Sequence, residues 1–270
     1  MGLIGAYALD VMSMCRLLGI VASESVHFRA LLTERPQKLH GQRYVSLASL
    51  GAEHGDGWGL ASCAGGRWQV HKGTRAASLD ESFHREACGL RGELLVSHVR
   101  KRTVGATRTE NSHPFVRDRW VFAHNGTIDH RAWLTDHLSP KRRDEIAGDT
   151  DSELFFAYIL TRLDAAELTA CAAQAATDDV VASIASECRA RARFGSFNFL
   201  LSDGASFYVH RFGRGLHLLE RGPRDAGPNR RTRAVFVASE PMTGEPWAEM
   251  ADGSLLRIDG GASPRIRAIG

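Results

Sequence analysis

The chain has 270 residues, enough for one large domain or two small ones with a buried core. Hydrophobic residues make up 43% and charged residues 24%, the balance of a soluble globular protein, and no apolar run reaches the roughly 20 residues that span a bilayer. The net charge of +3 is small, and its local excess is Arg221 to Arg233, five arginines and one aspartate with no interleaved aromatics to stack bases, which reads as a solvated loop and not a nucleic-acid surface.

In chain order, Met1 to Met14 lacks the basic start of a signal peptide, and its apolar stretch is short, so it reads as non-secretory. Cys15 to Val21 follows as a buried strand, and Ser25 to Leu32 as a helix capped by serine. Trp58 to Cys63 and Trp68 to His71 flank Gly65-Gly66 and predict a hairpin. A helix over Ser82 to Leu90 leads into a strand over Glu93 to His98. A further strand, Trp120 to His124, is expected to stop at Asn125-Gly126. Apolar residues at helical spacing predict a helix capped by Asp149 or Thr150 and running through Leu163, then a second over Asp178 to Arg193. Strands return at Ser196 to Leu201, Ser206 to Arg211, Leu216 to Leu219 and Ala234 to Ser239, with a last hairpin around Asp252-Gly253. Strands at both ends with helices between them indicate an α+β layered domain. There is no internal repeat, so residues 15–270 are expected to form a single domain and residues 1–14 a leader or a misassigned start.

The five cysteines (Cys15, Cys63, Cys88, Cys171, Cys188) form no paired framework and no Cys-x-x-Cys, which suggests reduced thiols in a cytoplasmic protein. Four islands carry residue types suited to chemistry. Met14-Cys15 is the first. If Cys15 becomes the amino terminus, its α-amine (reference pKa about 7.7–8.0) can take the proton of its own thiol (about 8.5). The plainer alternative is an inert buried cysteine. The second is Ser97-His98-Val99-Arg100, where an arginine at a strand end can clamp a carboxylate or simply face solvent. In the third, Ala123-His124-Asn125-Gly126, an amide donor stands next to an unobstructed backbone N–H. That pair suits an oxyanion hole, but it also suits an ordinary turn. The fourth, Gly148-Asp149-Thr150-Asp151-Ser152-Glu153, puts a carboxylate in a first helical turn, to stabilise the helix, to bind an ammonium or to hold a metal, although hard-cation loops supply more oxygen ligands at regular intervals.

Together and in this order, the islands resemble the class II glutamine amidotransferases of the amino-terminal-nucleophile hydrolase superfamily, in particular the small YafJ-like stand-alone type. Further segments extend the resemblance from Cys15 to about Trp247: His54 to Gly59, Glu110 to Phe115, Trp120 to Gly126, Phe197 to Gly204 and Ala238 to Glu245. The resemblance implies a four-layer αββα sandwich and an enzyme that releases ammonia from glutamine, or from a γ-glutamyl amide, through a thioester on Cys15. It also implies site roles. Cys15 is the nucleophile, Arg100 holds the α-carboxylate, Asp151 holds the α-ammonium, and Asn125 with Gly126 forms the oxyanion hole. His98 and His113 are implied as structural supports.

Neither cofactor nor metal is implied, because thiol, amine and oxyanion hole suffice. The 14-residue leader departs from relatives that begin at Met-Cys, and no residues remain for an ammonia-consuming second domain. Three readings follow: an amidotransferase that supplies ammonia to a separate synthase subunit, a γ-glutamyl peptide or conjugate hydrolase without transfer, or, if the leader is retained, a non-catalytic glutamine- or partner-binding module.

Overall fold

Alternating side chains on the central strands decide the layering. The computed structural model describes residues 15–33, 37–39, 42–50, 55–102, 104–166, 173–223 and 231–270. Strand β1 (Arg16–His27) turns Leu18, Ile20 and Ala22 to one side and Leu17 and Val21 to the other. The first set packs with Phe28, Leu31, Leu32, Phe83 and Ala87 from a helical layer. The second meets Val121, Ala123, Leu200, Phe207 and Val209 of another sheet.

That first sheet has seven strands, in the order β13 (Ala248–Glu249), β11 (His217–Arg221), β12 (Ala234–Ala238), β1, β6 (Arg91–Val99), β4 (Trp58–Ala64) and β5 (Arg67–Gly73). Six strands make the second, in the order β15 (Arg265–Ala268), β14 (Leu255–Asp259), β10 (Ser206–His210), β9 (Gly195–Ser202), β8 (Trp120–Ile128) and β7 (Phe115–Arg117). A separate hairpin joins β2 (Gln37–Leu39) to β3 (Gln42–Tyr44).

Helices α1 (Arg29–Thr33), α2 (Leu47–Leu50) and α3 (Glu81–Gly89) lie on the outer face of the first sheet. The outer face of the second carries α4 (Arg131–Asp136), α5 (Pro140–Asp144), α6 (Asp151–Ala165) and α7 (Ala173–Ala190). There Phe122, Phe197, Phe199 and Leu201 pack on Phe155, Phe156, Ile159 and Ile184. Three apolar seams therefore separate four layers, the αββα sandwich expected from the family resemblance. Among the described residues no helix is long and apolar enough to cross a membrane.

Several elements differ from expectation. Extended structure in β1 runs on to His27, held by pairing of Val26 and His27 with Gly92 and Arg91 beyond a bulge, so the helix expected from Ser25 begins only at Arg29. β8 does not stop at Asn125-Gly126, because Asn125 and Gly126 pair with Asn198 and Phe197. Asp252-Gly253 joins strands of different sheets, and the last hairpin is the β14–β15 pair. Helix α7 starts at Ala173 and not Asp178. The leader Met1 to Met14, His54, Cys171 and residues 224–230 of the arginine-rich stretch lie outside the described residues.

His210 makes the core sensitive to acid. Its ring lies fully buried between Phe197 (4.8 Å between centroids) and Phe199 (5.1 Å), with Nδ1 against the Phe197 carbonyl oxygen at 3.1 Å. Burial, the largest influence, pushes its pKa from 6.5 down to about 4. As pH falls below about 6.5 the unfolded chain takes a proton that the folded chain refuses, so stability is lost progressively down to the folded value. Between pH 7.5 and 5, urea denaturation is expected to show a loss to which His210 contributes about 2 kcal/mol, the part that His210→Phe removes. An identical pH dependence in His210→Phe contradicts this assignment.

Candidate active site

The two sheets bring the four islands to one end of the sandwich. Cys15 precedes β1, and Arg16 pairs with Val99, so the antiparallel register sets Arg100 beside Cys15. The half-buried thiol touches the 101 peptide on both sides, with Sγ 3.2 Å from Lys101 O and 3.2 Å from Lys101 N. On its other flank β1 pairs with β12, whose continuation supplies Ser239. Ser239 Oγ accepts from Leu17 N at 2.9 Å, and Glu240 forms an ion pair with Arg16.

From the second sheet, Asn125 Nδ2 donates to the Cys15 carbonyl oxygen at 3.0 Å and faces Ser239 Oγ at 3.4 Å. Strand geometry also directs the Gly126 amide. Asp129 N bonds to Phe194 O on the β9 side, whereas Ile128 N donates to Asp151 Oδ2 at 2.7 Å on the other side. Amides two residues apart on a strand point the same way, so the Gly126 N–H faces the Asp151 edge of β8. β7 covers that edge only as far as Phe122. A Cβ on Gly126 would overlap the Ser196 carbonyl oxygen, which explains glycine at this point in the ladder.

Asp151 opens α6 behind the Thr150 cap, whose hydroxyl accepts from Glu153 N at 3.2 Å, and is 4% exposed. Arg100, also 4% exposed, donates from Nη1 to Ala106 O (3.1 Å) and from Nη2 to Val104 O (2.7 Å). Asn111 ties this turn to the start of α6. Its Nδ2 donates to Ala106 O (2.8 Å) and Asp149 Oδ1 (2.6 Å), and its Oδ1 accepts from Asp149 N (2.9 Å). The same amide holds the Asp149 carboxyl below its ordinary pKa, with help from Arg108. Cys15, Arg100 and Asn125 thus stand together. Asp151 reaches them through Ile128, three residues along β8 from Asn125.

Burial pushes the Cys15 thiol pKa up, opposed by the Lys101 backbone contact and by the positive charges of Arg100 and Arg214. Arg214 is a site residue that sequence reasoning missed. The buried rings of His98 and His113 lie 4.4 Å apart, and His124 lies 6.4 Å from His113. Burial, reinforced by His98 and His124, drives the His113 pKa well below 6.5. His124, also lowered by burial, places Nδ1 2.8 Å from Ser152 Oγ. His113 and His124 are therefore neutral rings at neutral pH.

The layered sandwich, with a cysteine at the head of its central strand, is the architecture of the amino-terminal-nucleophile amidotransferases. The family model for class-II glutamine amidotransferases matches residues 14–226, and the chain belongs to that family of enzymes. It is similar to YafJ of Escherichia coli, 29% identical over 270 residues that cover 89% of this chain and 95% of YafJ. It is also similar to the gamma-glutamyl-hercynylcysteine sulfoxide hydrolase of Mycobacterium tuberculosis, 30% identical over 253 residues, 91% of this chain and 93% of that protein. Among solved structures, the Bacillus subtilis glutamine phosphoribosylpyrophosphate amidotransferase shares the fold with a TM-score of 0.61 at 17% identity, covering 95% of this chain and 49% of that one.

Proposed function

We propose that this chain hydrolyses the side-chain amide of glutamine, or of a related γ-glutamyl compound, with Cys15 as an amino-terminal nucleophile. The observation that carries the reading is the convergence on Cys15 of the Arg100 register position and the Asn125 amide. Burial holds the proton on the thiol, so attack needs a base alongside. The α-amine of Cys15, once freed from Met14, is the nearest one. The family match beginning at residue 14 supports a mature amino terminus at Cys15, reached by initiation at Met14 or by removal of residues 1–14.

Glutamine docks with its α-carboxylate towards Arg100 and its α-ammonium towards Asp151. The thiol proton passes to the α-amine as sulfur attacks the amide carbon. Asn125 Nδ2 and the Gly126 N–H receive the developing oxyanion. On collapse the C–N bond breaks, the α-amine returns the proton to the departing nitrogen, and a γ-glutamyl thioester remains. Water, deprotonated by the same amine, then releases glutamate and restores the thiol. The hydrolase named among the relatives favours a second reading within this chemistry, in which the departing amine is part of a larger conjugate.

The test is intact mass after treatment with 6-diazo-5-oxo-L-norleucine, a glutamine analogue that alkylates such nucleophiles. The expected species begins at Cys15 and carries one label. Protein that begins at Cys15 and stays unlabelled overturns the proposal.

A further inference from the structure

Arg214 stands where no motif announced a site residue. It occupies the turn between β10 and β11, and the fully buried Asn198 holds that turn from beneath. Asn198 Nδ2 donates to the carbonyl oxygens of Arg214 and Gly215, each at 3.1 Å, while its Oδ1 accepts from Phe212 N at 2.8 Å. Arg211 Nε adds a bond to Arg214 O at 2.9 Å. Gly213 takes φ +84°, the left-handed conformation that closes such a turn. The Arg214 side chain is anchored in its turn, with Nε donating to Ser196 Oγ at 3.0 Å.

This anchoring brackets Cys15 from a definite direction. Ser196 sits on β9 opposite Thr127, two residues from Asn125. A Cβ on Gly215 would lie 3.5 Å from Ser239 O, and Ser239 Oγ contacts both Leu17 N and Asn125. In the first sheet β1 lies between β6 and β12, so Arg100 flanks the nucleophile on the β6 side and the Arg214 turn on the β12 side. The second sheet repeats the division, with Asp151 off the open edge of β8 and Arg214 over β9. Two cations therefore flank the nucleophile on opposite sides. Arg100 gives one N–H from each of Nη1 and Nη2 to a backbone carbonyl oxygen, which leaves one on each for the glutamyl carboxylate. The half-buried Arg214 has no carboxylate within ion-pair distance and no partner on Nη1 or Nη2 among the described residues.

We propose that Arg214 binds a carboxylate on the amine side of the scissile bond, so that the preferred substrates are γ-glutamyl conjugates of amino acids or peptides and not glutamine itself. The inference rests on the hydrolytic reading above. The glutamyl half is served by Arg100 and Asp151, which leaves the opposite side for the departing group. Ammonia departing from glutamine gives a guanidinium nothing to hold. An amino acid joined through its α-nitrogen carries a carboxylate two bonds from the scissile nitrogen, and a planar fork of two N–H donors matches it.

The test compares γ-glutamylglycine with its neutral isostere γ-glutamylglycinamide, using protein that begins at Cys15. A charge-assisted pair predicts kcat/KM about 10- to 100-fold higher for the glycine conjugate. Arg214→Gln should collapse that ratio towards one, mainly through KM, and Arg214→Lys should restore part of it. If Arg214 only tunes the thiol or braces the turn, both substrates fall together and the ratio survives in Arg214→Gln, which overturns the inference. Equal kcat/KM values in the unmodified protein overturn it as well. Failure to hydrolyse any γ-glutamyl amide is a different outcome, because it removes the hydrolytic reading and this inference with it.

Discussion

Replacing Cys15 with alanine is expected to lower γ-glutamyl amide hydrolysis by at least about 10⁴-fold and to abolish labelling by the diazo-ketone analogue. The magnitude follows from the lack of a substitute among the described cysteines. Cys63 and Cys188 are buried, and burial drives both thiols up, Cys188 to about 12. Cys88 is exposed, but near the end of α3, in the helical layer outside the first sheet. Among the described cysteines only Cys15 combines partial exposure with an amide donor from the facing sheet and two arginines that favour its thiolate. The fold should survive, because among the described residues the thiol hydrogen-bonds to the Lys101 backbone and the strand pairing begins at Arg16. Circular dichroism and ammonia release, measured on the same sample, check both statements. Substantial hydrolysis by a folded Cys15→Ala protein would move the nucleophile elsewhere.

The sequence made the chemistry-bearing residue types legible, but not the contacts that hold them. Glu110 to Phe115 could be recognised as a family segment. That Asn111 fastens the Arg100 turn to the start of α6 depends on residues 38 positions apart meeting in space. Asn198 was likewise visible within Phe197 to Gly204, while its grip on the Arg214 turn was not. Arg214 itself sits in Arg-Phe-Gly-Arg-Gly, which reads as an ordinary turn, and it reaches Cys15 only through the sheet order. The strand through Asn125-Gly126 was misread for a related reason. Local propensity favours a turn there, yet pairing with Asn198 and Phe197 on β9 overrides it. Helical periodicity was a better guide, since α6 keeps its expected span to within two residues. Its cap and apolar positions are set within a single segment.

That misread strand carries the second large effect. Asn125→Ala is expected to lower kcat by about 10²–10³-fold with KM little changed, because an oxyanion donor acts on charge that exists only in the transition state. In the resting geometry the Asn125 amide is already engaged by the Cys15 carbonyl and faces Ser239 Oγ. It must therefore turn towards the substrate oxygen as attack proceeds. The backbone N–H of Gly126 keeps its direction whatever side chain stands at 125, so the variant should retain activity well above Cys15→Ala. Loss of the bond to Cys15 O is the competing explanation for a slow variant, since it loosens the nucleophile itself. Alkylation of Cys15 by iodoacetamide, which forms no oxyanion, distinguishes the two, because its rate changes only if the nucleophile is loosened. Asn125→Asp, which when ionised puts negative charge where the oxyanion forms and cannot donate to Cys15 O, should be at least as slow as alanine, although its size matches asparagine. Equal activity in Asn125→Ala and the unmodified enzyme would remove Asn125 from the mechanism.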